Sequence, residues 1–174
     1  GYDKGVPMGG ELHYPAVGDH AYWGIASELA EKNKSPTFLV AALKDPLFGN
    51  LDRVQMVKGW RDKDGKLHEK VYDIAWSDSR KPDANTGKLP PVGNTVNVAE
   101  ATWTNTIGDS QLSTVWRDPD FESDEQAFYY VRVLEIPTPR WTAYDAKRFG
   151  ITMGPEVPMI NQERAYTSPI WYIP

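Results

Sequence analysis

Two short stretches of the chain place charged and aromatic side chains beside prolines. They are EIPTPRW, which holds Glu135, Arg140 and Trp141, and ERAYTSPIW, which holds Glu163 and Arg164. Because proline fixes φ and has no backbone N–H, the backbone around these side chains is stiff. An exposed guanidinium there can bind a carboxylate or phosphate, whereas a buried one needs an acidic partner. We predict that these residues contact a substrate or another domain, and that Arg140 pairs with Glu163 or Glu135.

A third stretch, GVPMGG, carries three glycines but neither phosphate-loop pattern, and no strand precedes it. It is therefore not a nucleotide site. We expect Met8, Gly9 and Gly10 to contribute to the same contact surface as the PTPRW stretch. That surface is expected to be more apolar than a monomer normally exposes, which favours self-association or coverage by the N-terminal arm.

The chain has three histidines. His13 and His20, with Glu11 and Asp19, form the one local group that could gather around a metal, but their spacing matches no recognised metal motif. His68 lies on a predicted hairpin arm, where we expect it to face solvent. The sequence therefore predicts neither a metal site nor catalytic residues in this chain, although a self-sufficient enzyme built on His13 and His20 stays open as an alternative.

Several acidic side chains are close together in sequence, which is a pattern that can support general acid–base chemistry. All of them fall in turn sequences, where aspartate is favoured because it hydrogen-bonds its own backbone. We interpret them as turn residues: Asp62 with Asp64, Asp118 with Asp120, and Glu122 with Asp124 and Glu125.

Seven tryptophans and nine tyrosines are many for a chain of this length. Aromatic side chains on a β-sandwich can stack on sugars, so a carbohydrate-binding module is one interpretation. The other is structural, because the tryptophans fall near predicted strand ends, where they would close the core. We favour the structural interpretation for Trp60, Trp76, Trp103 and Trp116.

Composition excludes several classes of protein. The chain has 24 acidic and 19 basic side chains, a formal net charge of −5, and no basic cluster, which argues against nucleic-acid binding. It has no cysteine, so thiolate chemistry and cysteine metal sites are excluded. No stretch approaches the roughly 20 apolar residues of a membrane span, and no basic-then-apolar leader is present. We expect a soluble protein and leave open the compartment, with the periplasm and secretion both compatible.

Strand signals recur at short intervals without strand–helix alternation, which is typical of an antiparallel β-sandwich of immunoglobulin-like type with one or two short helices and long loops. We predict an N-terminal arm with a short helix over residues 1–34 and a β-sandwich over residues 35–174. A long surface loop is predicted at 77–93, and one helical turn after Trp141. The predicted helix is 21–33, and the predicted strands are 37–43 (buried), 51–60, 67–76, 95–104, 111–116 (or a helical turn), 128–136 and a last short strand within 164–174.

Blocks of the sequence resemble the C-terminal part of the bacterial family called domain of unknown function 3604. They include GVPMGGEL, NLDRVQMVKGW, EKVYDIAWS, VWRDPDF, AFYYVRVLEIPTPRW and ERAYTSPIWY, in that order. Residues 18–34 have no counterpart in the resemblance and are expected to be an insertion. The family is similar to the PHP (polymerase and histidinol phosphatase) superfamily of metal-dependent phosphoesterases, whose metal ligands lie in an N-terminal barrel.

The resemblance implies a function for the chain as part of a longer protein. We expect the non-catalytic C-terminal β-sandwich of a metal-dependent hydrolase, which packs on the N-terminal barrel and shapes its active site. No cofactor is expected in this chain, and a divalent metal would be held by the barrel. Expected partners are that barrel and, through the same face, a second copy of the chain. The alternative is a free-standing module that binds carbohydrate or another ligand.

Overall fold

The computed structural model describes residues 35–174, a mainly β structure with a single helix in that part of the chain. The predicted arm of residues 1–34 and its helix lie outside the described residues. The elements are β1 (Thr37–Leu43), β2 (Leu51–Arg61), β3 (Leu67–Trp76), β4 (Gln111–Arg117), β5 (Gln126–Glu135), β6 (Thr138–Pro139), α1 (Trp141–Phe149), β7 (Ile160–Asn161), β8 (Arg164–Tyr166) and β9 (Ile170–Tyr172).

All pairings between these strands are antiparallel, as predicted. The largest sheet has the order β3-β2-β5-β8, and β9 pairs with the same edge of β5 as β8. β2 and β3 form the predicted hairpin, in whose turn Gly65 has a φ of 81°. Two smaller sheets pair β1 with β4 and β6 with β7. β5 is therefore central in its sheet, which explains its nearly continuous apolar sequence.

The hydrophobic core lies between the five-stranded sheet and the β1–β4 sheet, a two-layer arrangement that is consistent with the predicted sandwich. Met56 and Tyr129 face it from the large sheet, and Leu112 faces it from β4. Burying each such large side chain contributes roughly 1.5–3 kcal/mol. Around these residues pack half-buried side chains from both layers: Phe38, Val40, Ala42, Trp60, Tyr72 and Trp116.

β1 has the predicted bounds, but the prediction that it is a buried strand is wrong. Its burial alternates along the strand, and Leu39 is 79% exposed. Only Phe38, Val40 and Ala42 face the core, because successive side chains of a strand point to opposite faces. Within residues 35–174, the outer face of the β1–β4 sheet has no second layer to cover it.

The predicted strand at residues 95–104 is also wrong. Asn97 and Thr102 pair across a tight turn instead, with backbone hydrogen bonds of 2.8 and 3.1 Å in the two directions. The Asn97 side chain accepts a hydrogen bond from the Glu100 N–H (3.1 Å), and Ala101 has a positive φ of 47°. Asparagine competes with strand pairing through such local hydrogen bonds, so this stretch reverses where a strand would continue.

The C-terminal part differs from prediction in two elements. The expected single helical turn is a nine-residue helix, α1. The expected last strand is split into β8 and β9 by Pro169, which has no N–H to donate. Within residues 35–174, no helix has the length and apolar character needed to cross a membrane.

The other sequence predictions for this region have mixed outcomes. Residues 77–93 form the expected long loop, and residues 111–116 lie in a strand. Trp60 and Trp116 pack against the core as expected. Trp76 instead donates to the carbonyl of Arg80 at 2.8 Å, and Trp103 is half-buried outside the core cluster.

Candidate functional site

The segment that follows β5 is a rigid corner, here called the proline corner (residues 136–141). Ile136 is fully buried, and its N–H donates to the carbonyl of Asn50 at 2.8 Å. β6 then pairs with β7, and the Arg140 N–H donates to the Met159 carbonyl at 2.9 Å. The backbone that leads to Trp141 is therefore held on both sides, in agreement with the stiffness predicted from its prolines.

Helix α1 starts directly at the end of the proline corner. Arg140, at the N-cap, has an extended backbone, and Thr142 anchors the first turn by donating its hydroxyl to the Pro158 carbonyl at 2.6 Å. The helix ends at Gly150, whose φ of 62° is the left-handed conformation common after helices. Thr142 and Ala143 are buried, so this side of α1 packs on the protein.

The opposite side of α1 is exposed and aromatic. Trp141, Tyr144 and Arg148 follow the i, i+3, i+7 spacing of one helix side, and Phe149 lies next to them. Trp141 is 62% exposed and Phe149 64% exposed. The Arg148 guanidinium carbon lies 5.6 Å from the Phe149 ring centroid. These four residues, here called the helix face, present three exposed aromatic rings and a guanidinium on a fixed backbone.

The structure contradicts the predicted pairing of Arg140. Within residues 35–174, no ion pair joins Arg140 to Glu135 or Glu163. The Glu163 carboxylate instead accepts a hydrogen bond from the Asn161 amide at 2.9 Å. The reason is the backbone: the β6–β7 pairing brings Arg140 next to Met159, whereas the Glu135 N–H donates to the Glu163 carbonyl at 3.0 Å. The proline corner separates the arginine from both carboxylates.

Glu135, the residue before the proline corner, has a carboxyl group in an unfavourable environment for its charged form. Its Oε2 is buried and has no hydrogen-bond partner. It packs closely on Gly49, where an added Cβ would lie 3.4 Å from Oε2. Burial raises the pKa of Glu135, and the negative charges of Glu163 and Asp45 raise it further, while Lys44 opposes them. The ionised form is therefore disfavoured in the folded protein.

Glu135→Gln is expected to stabilise the protein near neutral and alkaline pH. Below the unfolded pKa of 4.5 the carboxyl is protonated in both states, so the wild type and the variant should differ little. As the pH rises through the folded pKa, the wild type loses stability because its buried carboxyl must ionise. Urea unfolding at about pH 4 and about pH 8 would measure this difference.

The exposed Glu122→Gln variant serves as a control, and its stability relative to wild type should not change with pH in this way. Glu163→Gln should reduce the stabilisation that Glu135→Gln gives at high pH without abolishing it. The reason is that burial raises the pKa of Glu135 more than the charge of Glu163 does. Equal stabilisation by Glu135→Gln at both pH values would contradict the assignment.

Asp118 and Asp120, which the sequence predicts as turn residues, form a polar network with Lys58 and Lys70. Lys58 Nζ lies 2.7 Å from Asp118 Oδ2, and both side chains are almost completely buried. The Tyr129 hydroxyl donates to the same oxygen at 2.8 Å. Beside this pair, Asp120 accepts hydrogen bonds from Lys70 and from the Tyr72 hydroxyl.

The network is structural in character. Burial and the Asp118 carboxylate raise the pKa of Tyr129 far above its usual value, so its hydroxyl stays a donor. The hydrogen bond from Lys70 is the main cause that lowers the pKa of Asp120, and the hydrogen bond from Tyr72 lowers it further. Lys58, Asp118 and Tyr129 are almost completely buried, which favours a structural role over contact with a substrate. Asp118 also confirms its predicted turn role, because its Oδ1 accepts the Asp120 N–H at 2.9 Å.

A signal for this network was present in the sequence. Lys58 interrupts the apolar run of β2, and a lysine in a buried strand needs a carboxylate partner. The other aspartate turns follow the prediction: Asp62 accepts the backbone N–H groups of Asp64 and Lys66. His68, predicted to face solvent, is only partly exposed, with 30% of its side chain accessible. Its ring stacks on Trp60 at 5.1 Å, and its Nε2 lies 2.6 Å from Asp62 Oδ2.

Four aromatic side chains lie on the face of the large sheet that points away from the core. This aromatic strip consists of Phe128, Tyr130, Tyr166 and Trp171. Its rings follow each other at centroid distances of 5.2 Å (Phe128 to Trp171), 6.4 Å (Phe128 to Tyr130) and 6.3 Å (Tyr130 to Tyr166). Trp171 is 67% exposed. The Phe128 ring lies over Gly59, where an added Cβ would approach it to 2.3 Å.

Comparison with known proteins gives one family. A family model described as "Protein of unknown function (DUF3604)" matches residues 1–174. The chain belongs to this family. No curated protein matches the DUF3604 chain, and no solved structure does. The match includes residues 18–34, which the sequence resemblance left unassigned.

The structure separates the predicted contact residues of this DUF3604 chain. The Glu135 N–H donates to the Glu163 carbonyl near the start of the proline corner, whereas Trp141, the last residue of the corner, belongs to the helix face. Arg164 is exposed on β8, where it pairs with Leu134. Met8, Gly9 and Gly10, like His13 and His20, lie outside the described residues. Among residues 35–174, no three His, Cys, Asp or Glu side chains are arranged to hold a metal.

Proposed function

We propose that this DUF3604 chain is a non-catalytic β-sandwich that docks through its helix face and proline corner onto another domain of the same protein. Its partner in this proposal is the N-terminal barrel of a PHP-like, metal-dependent hydrolase. The barrel holds the divalent metal, and the proline corner shapes the active site of the barrel. The observation that carries the proposal is Trp141, exposed at the end of a backbone fixed by β6 and β7.

The chemistry of the helix face fits an interface. Contiguous apolar patches on soluble proteins usually mark a binding surface, and tryptophan, tyrosine and arginine are the side chains that most often dominate interface energies. The helix face contains all three types, on a backbone that loses little freedom when it binds. The same face would also serve a homo-oligomer if a second copy replaced the barrel.

The test is to mix the chain with the polypeptide encoded directly upstream in the same reading frame. Calorimetric titration should show binding, and Trp141→Ala should weaken it by about tenfold or more, as expected for a central aromatic contact. Trp171→Ala is the matched control, because Trp171 is equally exposed but lies on the aromatic strip.

Two results would contradict the docking proposal: a reading frame that encodes no upstream domain, or equal weakening by both tryptophan variants. Light scattering on the chain alone tests whether a second copy of the chain binds the helix face. A dimer that Trp141→Ala converts to monomer would assign the helix face to a second copy.

A second candidate function is carbohydrate binding, and the aromatic strip favours it. The strip combines two exposed rings, Tyr166 and Trp171, with two half-buried ones at fixed spacing, and such rings can stack on the faces of successive sugar rings. The structural interpretation of the tryptophans covers Trp60 and Trp116, which pack on the core, but it does not account for Trp171.

A further inference from the structure

Arg132 is held at one end of the aromatic strip by a buried amide. Its Nε donates to Gln55 Oε1 at 2.8 Å, and Gln55 Nε2 donates to Asp73 Oδ1 at 2.7 Å. Gln55 is only 7% exposed, so its amide is fully committed to these two charged side chains. Arg53 Nε lies 3.4 Å from the same Asp73 oxygen and completes the group.

In the part of the chain that the structure describes, the outer edge of the guanidinium has no partner. Nε is occupied by Gln55, and no side chain of residues 35–174 makes a hydrogen bond or ion pair with Nη1 or Nη2. These two nitrogens form a planar fork that matches a carboxylate or a sulfate ester. Because Gln55 fixes the side chain from beneath, little conformational freedom remains to be lost when an anion binds.

The position of Arg132 connects it to the aromatic rings. It pairs across the sheet with Tyr166 of β8, and Tyr130 lies two residues before it on the same face. The Tyr130 and Tyr166 rings are 6.3 Å apart. The guanidinium therefore adjoins a surface that continues through Phe128 to the exposed Trp171.

We propose that the aromatic strip and Arg132 form a binding site for an anionic oligosaccharide, whose sugar rings stack on the strip and whose acidic group binds the guanidinium fork. This inference rests on the second proposed function and names its site and its ligand class. The fixed Arg132 fork suits one acidic group on a sugar. It does not suit a nucleic acid, which the net charge of −5 also disfavours.

The test uses calorimetric titration of the full chain with three probes: an oligogalacturonide, its methyl ester and a sulfated galactan oligosaccharide. The oligogalacturonide or the sulfated galactan should bind at least about tenfold more tightly than the neutral ester. Tighter binding of the oligogalacturonide would assign a carboxylate as the recognised group. Tighter binding of the sulfated galactan would assign a sulfate ester.

Variants then test the residues. Arg132→Gln should remove the preference for the acidic probe, whereas Arg148→Gln, which removes an arginine from the helix face, should not. Trp171→Ala should weaken binding of all three probes by about tenfold or more, while Trp141→Ala should leave it unchanged. Since Trp171 is largely exposed, its substitution leaves the fold intact, and circular dichroism checks this for every variant.

The outcomes separate the inference from the function on which it rests. Equal affinity for the acidic probes and the neutral ester, or an Arg132→Gln variant that keeps the preference, would overturn the anionic site while carbohydrate binding stands. Failure of all three probes to bind would overturn both.

Discussion

Asp118→Ala is expected to lower the free energy of unfolding by about 3–5 kcal/mol, because it leaves the Lys58 ammonium buried without its counterion. Lys58 Nζ lies 2.7 Å from Asp118 Oδ2, and the two side chains are 2% and 0% exposed. Lys58 would keep the Asp120 carbonyl at 2.6 Å, which cannot neutralise its charge. Tyr129 would lose the acceptor of its hydroxyl as well. Urea denaturation followed by tryptophan fluorescence measures the loss.

Lys63 and Asp124 provide a matched control for this effect. They form the same kind of ion pair at 2.8 Å, but their side chains are 68% and 57% exposed. Asp124→Ala should therefore cost less than about 1 kcal/mol. Replacing both buried partners, as in Lys58→Met with Asp118→Leu, should cost less than Asp118→Ala alone, since no unpaired charge remains. A loss below about 1 kcal/mol for Asp118→Ala would show that Lys58 can reach water.

Gly108→Ala is expected to cost about 2–5 kcal/mol through two independent effects. Gly108 has a φ of 77°, a conformation that costs an alanine roughly 1–2 kcal/mol. An added Cβ would also lie 2.6 Å from Ile136 Cγ2 and 2.9 Å from the Leu51 carbonyl oxygen. Relieving these contacts requires movement of a fully buried residue and of the β2 backbone, for which overpacking typically costs about 1–3 kcal/mol.

Gly87→Ala separates the two effects. Gly87 has a similar φ of 66°, but nothing lies within 4 Å of the position of its added Cβ. Its substitution should show the backbone cost alone, about 1–2 kcal/mol. Thermal unfolding of both variants gives the comparison, and equal destabilisation would show that Ile136 can move without cost. Because Ile136 is the first residue of the proline corner, we also expect Gly108→Ala to disturb the presentation of Trp141.

The two proposed surfaces occupy different elements of the molecule. The helix face lies on α1, which starts at the last residue of the proline corner, whereas the aromatic strip lies on β5, β8 and β9. Their separate tryptophans, Trp141 and Trp171, allow each proposal to be tested with the other as its control. A chain that uses both would present a ligand-binding sheet face while it is docked through its helix.

The amino-acid sequence by itself determined those features that depend on neighbouring residues. The end of β5 follows from Pro137, which has no N–H for the ladder, and the β2–β3 hairpin follows from Asp64-Gly65, whose glycine adopts positive φ. The aspartate turns at Asp62 and Asp118 follow in the same way, from hydrogen bonds between a side chain and the nearby backbone. In each case the interacting atoms are a few residues apart, so the local sequence is enough to predict the turn or the end of the strand.

Only the tertiary structure decided which distant side chains meet. Lys58 and Asp118 become a buried pair because β4 and the turn after it pack over β2, and Arg132 is fixed because β2 places Gln55 opposite it. The same dependence explains the wrong predictions. Arg140 does not reach Glu163 because the β6–β7 pairing places its backbone next to Met159. β1 is half exposed because only one face of its sheet packs on the core. Sequence spacing does not specify these arrangements, since they depend on how separate elements pack in three dimensions.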